Sequence, residues 1–150
     1  MSELNNNSTE SADAGTISNL IDSNRSSASL SSAGIDASDV ARAAAQAAYD
    51  KKAEDIKVLD LCGLSDVCDY FVIATGLNNR QVDSIVDAIE EKVQKAYRET
   101  PVSIEGREEK SWILMDYGSV LVHVFTPEAR DFYRIESLWG DASELELNLQ

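Results

Sequence analysis

Two cysteines, two prolines and a single histidine in 150 residues leave few ingredients for covalent or metal chemistry. Cys62 and Cys68 are too few for a disulfide framework, and a reducing, cytosolic compartment fits them. No stretch approaches the run of about 18 apolar residues that a spanning helix needs. The glycines form neither Gly-x-x-x-x-Gly-Lys-Ser/Thr nor Gly-x-Gly-x-x-Gly, so the usual phosphate cradles are missing. Bases are scarce as well. The 13 Lys and Arg face 27 Asp and Glu, for a net charge of -14. Such a surface repels phosphate backbones, which disfavours direct nucleic-acid binding and favours a basic protein partner. The length gives room for one domain and a tail, and excludes an enzyme with separate cofactor and substrate lobes. A hydrophobic content of 43% is enough for one packed core.

The composition changes along the chain. Residues 1–32 contain ten Ser and five Asn, and their apolar residues keep no sustained period. Such a stretch buries too little to offset its ordering entropy, so residues 1–37 are expected to form a disordered tail, with at most a short helical fragment around Ile17–Ile21. One base, Arg25, against five acids gives this tail a charge of -4 and leaves -10 for the rest. A start that is acidic and poor in Arg argues against a secretory or organelle-import peptide. The folded domain is expected over 38–142, with 143–150 trailing off as an acidic tail.

Within 38–142 the patterning predicts α-β-β-α-β-β-β-α. Ser38 is the expected cap of an Ala-rich helix ending near Lys51 and Lys52. Asp55–Leu61 alternates as a strand. Tyr70–Thr75 is a continuous apolar run, as in a strand covered on both faces. Asn78 or Asn79 caps a long helix whose stripe is Val82, Ile85, Val86, Ile89, Val93 and Tyr97. Three strands follow, at Val102–Glu105, Ser111–Asp116 and Val120–Phe125, the last two joined by a tight turn at Tyr117-Gly118-Ser119. Thr126-Pro127 opens a last short helix with Phe132, Ile135, Leu138 and Trp139 on its apolar side, and Gly140 stops it. The first two strands are too close for a helical crossover and should be antiparallel, while the long helix can carry a right-handed crossover. The expected fold is α/β, a small mixed β-sheet flanked by helices.

The candidate chemistry is thin. A zinc site needs four ligands at workable spacing; two cysteines and His123 do not supply them. A Cys–His pair from Cys62 or Cys68 with His123 has no local signature, and a lone histidine inside a strand is more often packed than catalytic. Nucleotide transfer needs paired carboxylates holding a divalent metal. Asp60, Asp69 and Asp116 lie near strand ends, but no Asp-x-Asp pair exists, and Gly63-Leu64-Ser65-Asp66 is a faint echo of the usual turn. The remaining constellation is a recognition surface. Trp112, Asp116 and Tyr117 cluster on one hairpin, where an aromatic can anchor an interface and acids can steer a basic partner. Alternation puts Trp112, Leu114 and Asp116 on one face and Ile113, Met115 and Tyr117 on the other. It leaves open which of the two is core.

Several ordered segments resemble a known family. They are Asp55–Leu61, Cys68–Gly76, Asn79-Arg80-Gln81-Val82, Ser111–Gly118, Val122–Phe125, Arg130–Tyr133 and Glu136–Trp139. In this order and spacing, over about residues 38–142, the chain resembles the ribosomal silencing factor family, also called Iojap-related.

The resemblance implies an α/β fold similar to nucleotidyltransferases but without the catalytic carboxylates, no enzymatic activity and no cofactor. It implies binding to the large ribosomal subunit through its fourteenth protein (uL-fourteen), at the face that meets the small subunit. A factor bound there blocks subunit joining and represses translation. It further implies a cytoplasmic location for bacterial members and a homodimer when free. Trp112 matches the tryptophan of the family's Trp-Ile-Leu-x-Asp motif, implicated at the ribosomal-protein contact. Met115, Asp116 and Tyr117 on the same hairpin are further contact candidates. His123, Arg130, Tyr133 and Glu136 match positions expected to be mainly structural. The chain departs from the family pattern at Ser119, where an acid is usual. A large-subunit assembly role, or a divergent nucleotidyltransferase resting on Asp60 and Asp69, are the alternative readings.

Overall fold

The structure, a computed structural model, describes residues 35–150. The expected tail therefore lies outside the described residues as far as residue 34, as does the helical fragment around Ile17–Ile21. Ile35 and Ala37 pack against the core. The elements are α1 (Ala37–Asp50), β1 (Glu54–Asp60), β2 (Tyr70–Thr75), α2 (Asn79–Tyr97), β3 (Ser103–Glu105), β4 (Trp112–Asp116), β5 (Val120–Phe125), α3 (Pro127–Tyr133), α4 (Ile135–Leu138) and β6 (Ser143–Glu144). The cap of α1 falls on Asp36 rather than Ser38, and its side chain makes no capping bond.

The strands form one mixed sheet in the order β3-β4-β5-β2-β1-β6. β2 and β5 are its parallel pair, and the other pairings are antiparallel, β1 with β2 as expected. α2 carries the chain from β2 to the far edge at β3. β4 and β5 then return as antiparallel neighbours, which brings β5 beside β2. Both central strands are covered on both faces, which is why their sequences are apolar without alternation.

The two faces are covered unequally. α1 and α2 lie over Val58, Val72, Ala74, Ile113, Met115, Val122 and Val124. The alanines of α1 bring its backbone close to sheet and helix; Ala41, Ala44, Ala45 and Ala48 have no exposed surface. Gly76 is needed where β2 hands over to α2, since a Cβ there would sit 2.9 Å from the Val82 nitrogen. Gln81 fastens this junction. Asn78 Oδ1 accepts its backbone N–H at 2.9 Å, its Oε1 accepts the Leu77 N–H at 2.7 Å, and its Nε2 donates to the carbonyls of Lys51 and Lys52. The opposite face holds Leu59, Leu61, Phe71, Ile73, Leu114, Leu121 and Phe125 under the short α3 and α4. No helix among the described residues is long and apolar enough to cross a membrane.

Two local expectations change. The last helix breaks in two at Arg134, whose φ is +49°. Ile135 turns inward at 3% exposure, whereas Phe132 at 73% and Leu138 at 55% face solvent rather than the core. The C-terminus does not trail off. Ser143 and Glu144 pair with Asp60 and Leu59, and Leu145, Leu147 and Leu149 pack against the core on the α1 side. Arg42 Nη1 donates to the Glu146 carbonyl at 2.7 Å and Gln46 Nε2 to that of Gln150 at 3.1 Å. Alternating leucines every second residue supply the apolar side of this extended strap.

Candidate functional site

The β4–β5 hairpin decides which hairpin residues reach solvent. Ile113, Met115 and Tyr117 face α1 and α2, the thickly covered side. Met115 has no exposed surface, and Tyr117 is 4% and Asp116 1% exposed. The structure thus places these three expected contact residues in the interior. Asp116 Oδ1 accepts the Gly118 N–H at 2.7 Å and so closes the hairpin turn, where Gly118 has φ +86°. Burial, reinforced by Glu90 and Glu99, pushes the Tyr117 hydroxyl well above its ordinary value and keeps it neutral.

Trp112 alone of the four stays half-buried, on the thinly covered face. Its register partner is Phe125, so His123 is its diagonal neighbour on the same face. The indole stacks on Phe125, with centroids 5.1 Å apart, and packs on Tyr133 at 4.6 Å. Phe132 meets Tyr133 edge-on at 5.0 Å. Beneath, Phe71 joins His123 at 4.5 Å and Trp139 at 5.9 Å. The result is an aromatic cluster that runs from the sheet to the exposed Phe132.

Trp112 Nε1–H donates to His123 Nδ1 at 3.1 Å. The imidazole is fully buried, and desolvation pushes its pKa down to about 3, so it is neutral at physiological pH. It is packed and hydrogen-bonded, as expected of a strand histidine. Arg130, Tyr133 and Glu136 also serve the scaffold. The Arg130 guanidinium donates to Glu136 Oε2 at 2.9 and 3.2 Å, to Thr75 Oγ1 at 2.8 Å and to the Asp55 carbonyl. This fork ties α3 and α4 to the ends of β1 and β2.

Two of the candidate carboxylates, Asp60 and Asp116, accept local backbone N–H groups. Asp60 Oδ1 accepts the Cys62 N–H at 3.0 Å, and the Asp69 carbonyl accepts from Leu61 and lies 3.8 Å from Cys62 Sγ. Burial, then Asp60 and Asp69, push the Cys62 thiol up, which disfavours its thiolate. Cys68 is buried. Among the described residues no three His, Cys, Asp or Glu side chains gather as a metal would require.

Sequence reasoning singled out Trp112, which the structure leaves half-buried, and put Phe132 and Leu138 on the apolar side of a short helix, where the structure exposes them. The only local hint was the short reach of an amphipathic pattern that stops at Gly140. The Trp112–His123 link depends on the observed register, which pairs 112 with 125; a three-residue turn at 117–119 would pair 112 with 124 and put His123 on the other face.

The model of the family described as ribosomal silencing factor during starvation matches residues 35–150. The ribosomal silencing factor of Bacillus subtilis is 40% identical over 73% of this chain and 92% of its own length. The chloroplastic Iojap protein of maize is 36% identical over 69% of this chain and 44% of its own. A mouse relative, named for mitochondrial assembly of the ribosomal large subunit, is 33% identical over 59% of this chain and 40% of its own. A crystal structure of a Chromobacterium violaceum protein superposes with a TM-score of 0.67 at 34% identity, covering 77% of this chain and 94% of that one.

Proposed function

The chain belongs to the ribosomal silencing factor family, and from that premise we propose that it binds the large ribosomal subunit through its fourteenth protein, uL-fourteen, at the intersubunit face. Bound there, it blocks joining of the small subunit and represses translation as a non-enzymatic cytoplasmic factor, with a homodimer as its free form. The observation that carries the reading is the half-buried Trp112 at the edge of an aromatic cluster, on a protein of net charge -14. Such an aromatic is the residue type that anchors protein interfaces. The acidic surface is attracted to a basic ribosomal protein and repelled by the surrounding RNA, which favours docking on an exposed protein patch. Asp60 and Asp116 hold local backbone groups, which speaks for recognition rather than metal-dependent transfer.

Subunit joining, followed by light scattering, tests the proposal. Stoichiometric protein added before mixing should lower the joined fraction and co-sediment with the large subunit. Trp112→Ala should weaken that binding by about 30-fold or more, the scale of an interface hot spot. The thermal melt of the variant must remain cooperative for this comparison. A folded variant with unchanged affinity would remove Trp112 from the interface.

The name of the mouse relative favours a second reading, a role in large-subunit assembly from the same docking site. Accumulation of immature large subunits without the protein, with joining unaffected by its addition, would put that role first.

A further inference from the structure

We propose that His123 is a positioning residue for Trp112, its Nδ1 lone pair accepting the indole Nε1–H so that the docking aromatic is held in one orientation before any partner arrives. The proposal deepens the docking role above and rests on it.

The geometry is specific. The indole nitrogen only donates, so Nδ1 at 3.1 Å must be the unprotonated, accepting nitrogen of the imidazole. The neutral ring then carries its proton on Nε2. That nitrogen is buried and has no hydrogen-bond partner among the described residues. Its surroundings are aromatic: Phe71 lies 4.5 Å away, centroid to centroid, and Phe125 lies parallel within 8°. A leucine or phenylalanine would fill this space without leaving a polar nitrogen unsatisfied. Packing alone is therefore a poor reason for a histidine here, and among the described residues the bond to Trp112 is the one hydrogen bond that the imidazole makes.

Trp112 needs such a restraint. It is half-buried, and α3, which supplies Tyr133 against it, is a seven-residue helix ending at the left-handed Arg134. Stacking on Phe125 and tilted packing against Tyr133 are not directional with respect to the indole edge. The directional bond selects one edge. The Nε1 edge faces inward, and the same side of the indole is always offered outward. A docking aromatic that is already oriented loses less rotamer freedom on binding.

Two substitutions separate the bond from the bulk. His123→Asn places Oδ1 where Nδ1 stands and keeps the acceptor. His123→Leu removes it. In the free protein, proton NMR of the Trp112 indole N–H, identified in a Trp139→Phe background, should show slow solvent exchange in wild type and His123→Asn and at least tenfold faster exchange in His123→Leu. In wild type, imidazole nitrogen shifts should report the Nε2-protonated tautomer from pH 5 to pH 8, all of it above a pKa of about 3. Affinity for large subunits, measured well below each melting temperature, should fall about tenfold in His123→Leu and stay within threefold of wild type in His123→Asn.

An Nδ1-protonated tautomer would overturn the proposal at once, even if His123→Leu does not fold. So would unchanged indole exchange, or faster exchange with unchanged affinity, in a folded His123→Leu. If wild type binds no large subunit, the docking reading fails, while the exchange and tautomer results still decide whether His123 orients Trp112.

Discussion

Replacing Asp116 with alanine separates a buried hairpin clamp from a surface contact. The carboxylate is 1% exposed and takes the Gly118 N–H at 2.7 Å. A buried hydrogen bond contributes about 0.5–1.5 kcal/mol, and its loss strands a buried N–H at a cost of about 1–3 kcal/mol. Against this, alanine relieves the desolvation of a buried carboxylate, so the net cost should be about 2 kcal/mol. The folded unit of about 115 residues unfolds with an entropy of about 0.24 kcal/mol/K, so the melting temperature should drop by about 8 °C. Asp116→Asn keeps an acceptor in place and should lose about half as much. Calorimetry of the free variants gives the first quantity, and co-sedimentation with large subunits at about 10 °C gives the second. Affinity at that temperature should stay within twofold of wild type for both. An alanine variant that melts like wild type yet binds more than tenfold weaker would refute the reasoning and return Asp116 to the interface.

Acid should destabilise the fold through His123. Its pKa is about 3 when folded and near 6.5 when exposed, so between these values the unfolded chain binds a proton that the folded one refuses. The stabilisation is complete above pH 6.5 and is lost by about 1.4 kcal/mol per unit as pH falls toward 3. Urea melts of wild type should show a steeper decline from pH 6 to pH 4 than those of His123→Asn, and parallel curves would contradict this. Gly76→Ala should lose about 1–3 kcal/mol, because its Cβ meets the Val82 nitrogen at 2.9 Å and Val82 Cγ2 at 3.0 Å. Unchanged urea stability would mean that the start of α2 gives way freely. Affinity for large subunits should fall as salt rises from about 0.05 to about 0.3 M, since screening weakens an acidic protein's attraction to a basic patch. Tighter binding at high salt would rule out that attraction.

Much of the fold is local and was legible from the chain. β2 and β5 fall on the predicted residues, since continuous apolar runs admit few alternatives to doubly covered strands. The stripe of α2, its Asn78 cap and the Thr126-Pro127 start of α3 follow from periodicity and capping chemistry, which act within one or two turns. Trp112 was legible as a docking candidate by the same local logic and by family resemblance. What the chain could not decide is what covers each face. Alternation along β4 treats Trp112 and Met115 alike as hydrophobics on opposite sides. Only α1 and α2, packed over one side, bury Met115 and Tyr117, and only the thin cover of α3 and α4 leaves Trp112 at the surface. The strap of Leu145, Leu147 and Leu149 reads as an acidic tail until β1, far away in sequence, supplies an edge for it. The left-handed Arg134 breaks the helical pattern after α3, so Ile135 is buried while Phe132 stays exposed. Periodicity belongs to the local backbone, whereas burial belongs to whichever distant segment comes to lie above it.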